Sequence, residues 1–414
     1  MRIGIDFGTT NSAVAIVEAD GLPQIVQLVE GEDTQRTVIH SVDRGVISYG
    51  NAALRTYMED GFEGRFLRSL KSFLPHDVPR TTVGGQKYEF TELVAMYMRF
   101  LVESTEAVTG RMVDHVTIGR PVRFHADNRK EESAFARLQK AANMAGLTSY
   151  DFRLEPVAAA MRYELGLEQN RMILVGDFGG GTADFAILRV GPSYVGGYDR
   201  SQDVLAVSGV AKAGDALDAR FMEAFLLDEF GRGSMIRRLD QKGEDVWNPS
   251  VLHSILRLYD VHRLRSHSLA EFLGRSEARM DEKYKVQRLR KLIFEDLGYP
   301  MAWAIEACKR ALSATDETTF EFREFFVRDL DIRRRVTLVD YAMASQRMMI
   351  EYQNTIQQTL DRAGLGVNDI DEVFLTGGTS QLPFVRGVFE EMFGQERLRE
   401  ANAFTSVVEG LVLG

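Results

Sequence analysis

The chain of 414 residues carries 50 basic and 60 acidic side chains, a formal net charge of −10, and 45% hydrophobic residues. At about 100–200 residues per domain this length suggests two to four compact units. The acidic balance argues against a nucleic-acid partner, because phosphate backbones are gripped by a surplus of Lys and Arg. The single cysteine, Cys308, excludes an internal disulfide framework and fits a reducing compartment. The opening MRIGIDFGTT has no basic-then-apolar export region, and no apolar run approaches the roughly 20 residues of a membrane helix. A soluble, monomeric, cytoplasmic protein without membrane contact is expected. Lysine is scarce, ten of the 50 basic residues.

In chain order, residues 2–7 (RIGIDF) and 12–17 (SAVAIV) predict two short strands joined by Gly8-Thr9-Thr10-Asn11. A Thr start and apolar spacings of three and four predict an amphipathic helix over 91–109. A strand over 113–118 and a helix over 127–145 follow. Residues 155–165 predict a further helix, with Pro156 in its first turn, where a missing N–H costs nothing. Residues 171–177 and 183–190 predict a second strand pair, joined by Phe178-Gly179-Gly180-Gly181-Thr182. A helix is predicted over 215–230, and 231–305 reads as a distinct segment with helical periodicity. One or two long helices are expected over 281–311, interrupted near Gly298-Tyr299-Pro300. A helix over 336–363 and a strand over 370–376 ending in Gly377-Gly378 complete the pattern. Strands alternating with helices indicate an α/β architecture.

The two strand pairs share one design: strand, Asp-Phe-Gly, a small-residue turn with Thr, then an apolar strand. Its recurrence about 170 residues later suggests two duplicated lobes rather than a solenoid. Glycines in such turns let backbone N–H groups approach a ligand without Cβ interference, and successive N–H groups form a concave anion site. Thr hydroxyls add donors, and an Asp at the strand end suits a hydrated cation that neutralises phosphate charge. A lone copy reads equally well as a Gly-rich β-turn; two copies with matched Asp and Thr do not. There is no GxxxxGK[ST] run, so a P-loop is excluded.

IGIDFGTTNSAVAI (3–16) and DFGGGTADFAI (177–187) resemble the two phosphate motifs of the actin-like ATPases, most closely those of DnaK-type seventy-kilodalton heat-shock chaperones. Further segments match that family in order: Lys71 in RSLKSFLP, Pro121 with Arg129, Glu155-Pro156 with the Ala run after it, and Ala213-Gly214-Asp215 with Asp218. Glu306, Lys309, Arg310 and Ser313 match its adenosine-contacting helix. Gly377-Gly378-Thr379 with Pro383 match its adenosine loop. The resemblance implies a two-lobed fold of duplicated ribonuclease H-like βββαβα units, with ATP or ADP held in a cleft between the lobes. Lobe I would comprise 1–186 and about 400–414, and lobe II 187–399, with 231–305 an enlarged helical subdomain.

It implies roles as well. Asp6, Asp177 and Asp184 would surround Mg²⁺ and potassium. Gly8, Thr9, Thr10, Asn11, Gly179, Gly180, Gly181 and Thr182 would hold the phosphates, with Gly214 beside them. Lys71, Glu155, Thr182 and Asp184 would carry hydrolysis, Lys71 near the γ-phosphate and attacking water. Apart from the resemblance, Lys71 reads as a solvated helix lysine and Glu155 as a helix-start carboxylate favoured by the dipole. Glu306, Lys309 and Arg310 share one helix face by their spacing.

Departures from the family pattern are visible. Gln381 stands where the family has an adenine-stacking arginine, and Asn402-Ala403-Phe404 where it has Asn-Pro-Asp. The chain's last residue, Gly414, leaves no length for the family's peptide clamp, so an ATPase domain standing alone is expected, acting through lobe closure on a protein partner or co-chaperone. A small-molecule kinase and a filament-forming protein are the rival expectations on the same fold. His253, His262 and His267, nine and five residues apart, do not make a metal pair. Phe320, Phe322, Phe325 and Phe326 read as strand and core, and Cys308 as a packed thiol.

Overall fold

The computed structural model describes all residues except 19–20, 29–30, 43–44, 62, 196–199, 201, 241, 296, 323–329, 401–404 and 414. Phe325, Phe326, Gly414 and Asn402-Ala403-Phe404 therefore lie outside the described residues. Two compact units are present: Met1–Gly214 with Met348–Gly414, and Asp215–Arg347. Both expected lobe boundaries, 186/187 and 399/400, fall inside the first unit, as do both glycine-rich hairpins.

Besides a three-stranded sheet (Ile47–Tyr49, Val38–Ser41, Arg65–Arg68) and the hairpin Thr81–Val83 with Gln86–Tyr88, the first unit is built on two large sheets. In one, Arg2–Phe7 pairs antiparallel with Asn11–Val17 and parallel with His115–Arg120, which continues in parallel to Tyr150–Leu154; Pro23–Ile25 adds to the antiparallel side. In the other, Arg171–Phe178 pairs antiparallel with Ala183–Val190 and parallel with Glu372–Thr376. Val204–Val210 extends the antiparallel side and Leu398–Glu400 the parallel side. The two sheets thus share strand order and sense. Their hairpins also share register: Phe7 faces Ser12 and Phe178 faces Ala183, so each loop contains four residues.

Parallel strands need helical crossovers, which here also supply the core. Phe90–Thr109 and Asn128–Met144 bury Leu93, Tyr97, Met98, Leu101 and Leu138 against Ile3, Ile5, Phe7 and Ile118. The first of these helices begins one residue before the predicted Thr91. The Glu92 side chain accepts from the Glu89 N–H at 2.6 Å, and the Glu89 backbone carbonyl accepts from the Glu92 N–H at 3.0 Å, which closes the first turn. Glu155–Glu164, with Pro156 in its first turn, packs its Ala158-Ala159-Ala160 run against the second sheet at Ile173, Val175 and Phe374. Ser406–Leu411 crosses that helix so closely that a Cβ on Gly410 would stand 1.7 Å from the Ala158 carbonyl oxygen.

The second unit contains the antiparallel ribbon Glu317–Phe322 with Ile332–Thr337, whose Phe320 and Phe322 are buried as core. The long helical stretch divides into Lys283–Phe294 and Gly298–Leu312, with Pro300 tolerated in the first turn of the second. Two expectations are corrected. The segment 231–305 is not helical throughout, because Ser234–Arg237 and Glu244–Trp247 form a two-stranded hairpin. The predicted helix over 215–230 changes its ladder, passing from α-helix (Gly214–Phe221) through a π turn (Met222–Leu226) to a 3-10 turn (Leu227–Phe230). No helix among the described residues is long and apolar enough to cross a membrane.

Candidate functional site

The first hairpin loop, Gly8–Asn11, is shaped from below by Thr37. Its N–H donates to the Thr10 carbonyl at 2.9 Å, and its hydroxyl donates to the Gly8 carbonyl at 2.8 Å. A side chain at Gly8 would drive a Cβ to 2.1 Å from the Asn11 carbonyl oxygen, so the turn demands glycine there. The second loop closes when the Gly179 N–H donates to the Thr182 carbonyl at 3.0 Å, and Gly214 donates its N–H to the Gly179 carbonyl at 3.2 Å.

The two loops meet. A Cβ on Gly180 would lie 2.6 Å from Thr10 Oγ1, and one on Gly181 3.3 Å from Thr9 Oγ1. Glycine at these positions lets the backbone of the second loop come into contact with the two threonine side chains of the first. Gly377, with φ of 85°, comes against the Phe178 carbonyl, and the buried Thr379 hydroxyl stands beside Gly214.

Beneath the loops lies a buried ionisable cluster. Lys71 and Glu155 are 6% and 7% exposed and form an ion pair, although 84 residues separate them. Asp177 and Asp184, neighbours in the strand register, are 7% and 1% exposed. Burial holds the Asp6 carboxyl up at about 7, with the Glu155 charge adding and Lys71 opposing. Burial and then Glu155 push Asp184 up to about 8, while Thr182, Lys71 and the Val122 N–H offset part of the rise. Asp177 is raised well above the usual range by burial, then by Glu155, Asp184 and Asp6. For Lys71 burial pulls downward, but Glu155, Asp6 and Asp184 together more than compensate, and its ammonium is held charged.

Four acidic side chains around one ammonium repel one another, and a cation relieves that repulsion. Asp184 Oδ1 accepts from the Val122 N–H at 3.0 Å, whereas Oδ2 is buried with no hydrogen-bond partner among the described residues. Such an atom suits a metal-bound water or a cation. No three His, Cys, Asp or Glu side chains among the described residues converge as a direct metal cage. Carboxylate oxygens are the donor type of a hard cation such as magnesium, which keeps several waters in its shell.

The structure brings together Asp6, Thr9, Thr10, Lys71, Glu155, Asp177, Gly180, Gly181, Thr182, Asp184, Gly214, Gly377 and Thr379 within the first unit. Gly378 and Gln381 belong to the 3-10 turn Gly378–Gln381 of the same unit, both exposed. Glu306, Lys309, Arg310 and Ser313 lie in the second unit, on and at the end of helix Gly298–Leu312. There Lys309 Nζ pairs with Asp218 at 2.6 Å, so that ammonium already has a largely buried carboxylate partner. His267 is exposed and paired with Glu271; the His262 side chain lies outside the described residues. The Cys308 thiol is pushed up to about 12 by burial, in keeping with a packed, unreactive group.

Sequence reasoning missed Thr37, Val122 and Gly209. The last is a register partner of Asp184, where a Cβ would come within 2.5 Å of Asp184 Oδ1. None of the three stands in a recognisable motif; each is brought in by strand pairing or chain crossing.

A model of the Hsp70 protein family matches residues 75–244 and 264–413. Over 436 aligned positions the chain is 28% identical to a chaperone protein DnaK of Thermus thermophilus, covering 99% of this chain and 60% of that protein. To the chaperone protein DnaK of Thermotoga neapolitana it is 26% identical over 419 positions, covering 99% and 58%. The chain thus spans about three-fifths of the length of the curated relatives it matches.

Proposed function

The chain belongs to the Hsp70 family, and on that premise we propose that it binds ATP and ADP with Mg²⁺ and hydrolyses ATP as the nucleotide switch of a chaperone. The observation that carries this reading is the meeting of two glycine–threonine hairpin loops directly above a buried Lys71–Glu155 pair and three strand-end aspartates. The matched order and register of the two sheets support a duplicated actin-like architecture.

Phosphoryl transfer needs little covalent help from a protein; it needs positioning and stabilisation of charge. Backbone N–H groups at Gly180 and Gly181, with the hydroxyls of Thr9, Thr10 and Thr182, would hold terminal phosphate oxygens. Asp6, Asp177 and Asp184 would hold the hydrated magnesium, which neutralises phosphate charge when bound, and potassium would be accommodated in the same acidic surroundings. Lys71 would face the charge that develops on the transferred group, and Glu155 fixes its ammonium. The family resemblance assigns Gly377, Gly378, Thr379 and Gln381, and Glu306, Lys309, Arg310 and Ser313, to the adenosine. A switch would follow from the different contacts that ATP and ADP make with these loops, acting on a protein partner or co-chaperone.

Titration calorimetry with ADP and ATP, with and without Mg²⁺, tests the binding. Single-turnover hydrolysis with and without small-molecule acceptors tests the reaction. Magnesium-dependent micromolar binding with release of inorganic phosphate supports the reading; phosphate delivered to an acceptor would make the chain a kinase, and no binding would reject it as a switch. Sedimentation in ATP that pellets the protein would favour a filament.

A further inference from the structure

The turn that carries Lys71 is held at both ends by groups outside the proposed nucleotide contacts. Upstream, Ser69 has φ of 53° and ψ of 38°, the one left-handed non-glycine residue among the described residues. Such a backbone persists only where its surroundings over-determine it. Its carbonyl accepts from the Ser72 N–H at 2.9 Å and the Ser72 hydroxyl at 2.7 Å, and Leu70, which opens the turn, and Leu74, which follows it, are buried.

Downstream, the chain leaves the 3-10 turn Leu70–Phe73 through Leu74 and His76, whose carbonyls accept from a side chain on a distant helix. Arg137, on helix Asn128–Met144, supplies both: Nη1 donates to the Leu74 carbonyl at 2.7 Å and to the His76 carbonyl at 2.9 Å. Nη2 pairs with Asp77, which is 96% exposed and so contributes little. A planar guanidinium with several fixed donors can serve two carbonyls at once, which a single ammonium does less well. Ala134, Leu138 and Ala141, all fully buried, hold the arginine's helix in place.

We infer that Arg137 is a positioning residue for Lys71: by fixing the exit of the turn, it keeps the ammonium seated on Glu155 in the buried carboxylate cluster. The catalytic consequence rests on the proposed role of Lys71 in ATP hydrolysis; the structural consequence does not. The test therefore has two readouts, on the 414-residue chain carrying Arg137→Ala, Arg137→Lys or the control Asp77→Asn.

The first is the acylation rate of each lysine, followed by mass spectrometry without nucleotide. Lys71 labelling should rise about tenfold in Arg137→Ala, the effect of a local opening made easier by one hydrogen-bonded strap, with the melting midpoint and the other lysines unchanged. Arg137→Lys should lie between, and Asp77→Asn should match the parent. The second is single-turnover hydrolysis, expected to fall about tenfold with ATP affinity retained, because a small misplacement costs rate before binding. Arg137→Ala should add nothing to Lys71→Ala, since both act through one group.

Unchanged Lys71 labelling in a folded variant overturns the inference. So does a rise shared by the half-buried Lys285 and Lys309 with a lowered midpoint, which marks a merely structural arginine. Should Arg137→Ala fail to fold, Arg137→Lys carries the same comparison. A parent chain that does not hydrolyse ATP rejects the proposed function, while the labelling still decides Arg137.

Discussion

Lys71 is the residue on which most of the proposed chemistry converges. Unpaired, a buried ammonium would shed its proton; Glu155, Asp6 and Asp184 keep it charged. Lys71→Ala should lower single-turnover hydrolysis by about 10²–10³-fold, the effect of losing one preorganised charge donor, while calorimetric ADP affinity stays near that of the parent. Hydrolysis at the parent rate would remove Lys71 from the mechanism. The aspartates give a pH signature. Unfolded, Asp6 and Asp184 ionise near their ordinary 3.8; folded, they hold protons up to about 7 and 8. The folded state binds more protons across that window, so without nucleotide and metal, stability should fall as pH rises from about 4 to 8. Urea midpoints between pH 5 and 8 should show this slope, and Asp184→Asn should flatten it. An equal slope in the variant would mean that Asp184 titrates normally. Legibility at this scale was uneven. Asp6, Thr9, Thr10, Gly180, Gly181 and Asp184 stand in contiguous motifs. Thr37, Val122, Gly209 and Arg137 stand in none, because a contact with a residue distant along the chain imposes no local pattern.

At the level of elements, most long helices and central strands follow from periodicity, since an amphipathic stripe repeats many times over 17 to 26 residues. The hairpin of Ser234–Arg237 and Glu244–Trp247 escaped because its four-residue strands bury only two residues and one residue, and neighbouring Arg and Leu imitate helical spacing. The π turn at Met222–Leu226 is likewise invisible, for it shifts the hydrogen-bond ladder without changing the residue types. Helix crossings are a tertiary matter too. Gly410 lets Ser406–Leu411 lie against Glu155–Glu164, with Arg153 donating to the Gly410 carbonyl at 3.2 Å and Arg162 paired with Glu409. Gly410→Ala should cost about 1–3 kcal/mol by overpacking. It should read as a lower urea midpoint at unchanged slope; a parent-like midpoint would show that the crossing relaxes freely.

For the whole molecule, the buried acidic cluster makes ligand and fold interdependent. ATP with Mg²⁺ at about 100 times its dissociation constant should stabilise the chain by about 2.7 kcal/mol. A melting curve should show this as an upward shift that a chelator reduces. A shift with magnesium alone, undiminished in Asp184→Asn, would place the cation elsewhere. The net charge of −10 bears on this only generally, whereas the local excess around Asp6, Asp177, Asp184 and Glu155 bears on it directly.

The sequence by itself determined that this is an α/β chain with two matched glycine–threonine hairpins, and it marked the residues proposed to meet phosphate, because turn chemistry and strand alternation are local properties written in consecutive residues. Only the tertiary structure decided that Lys71 meets Glu155 across 84 positions, that both hairpins lie in one compact unit, and that Thr37, Gly209 and Arg137 shape the site. Long-range contacts depend on which faces are buried together, and burial is a property of the folded chain as a whole.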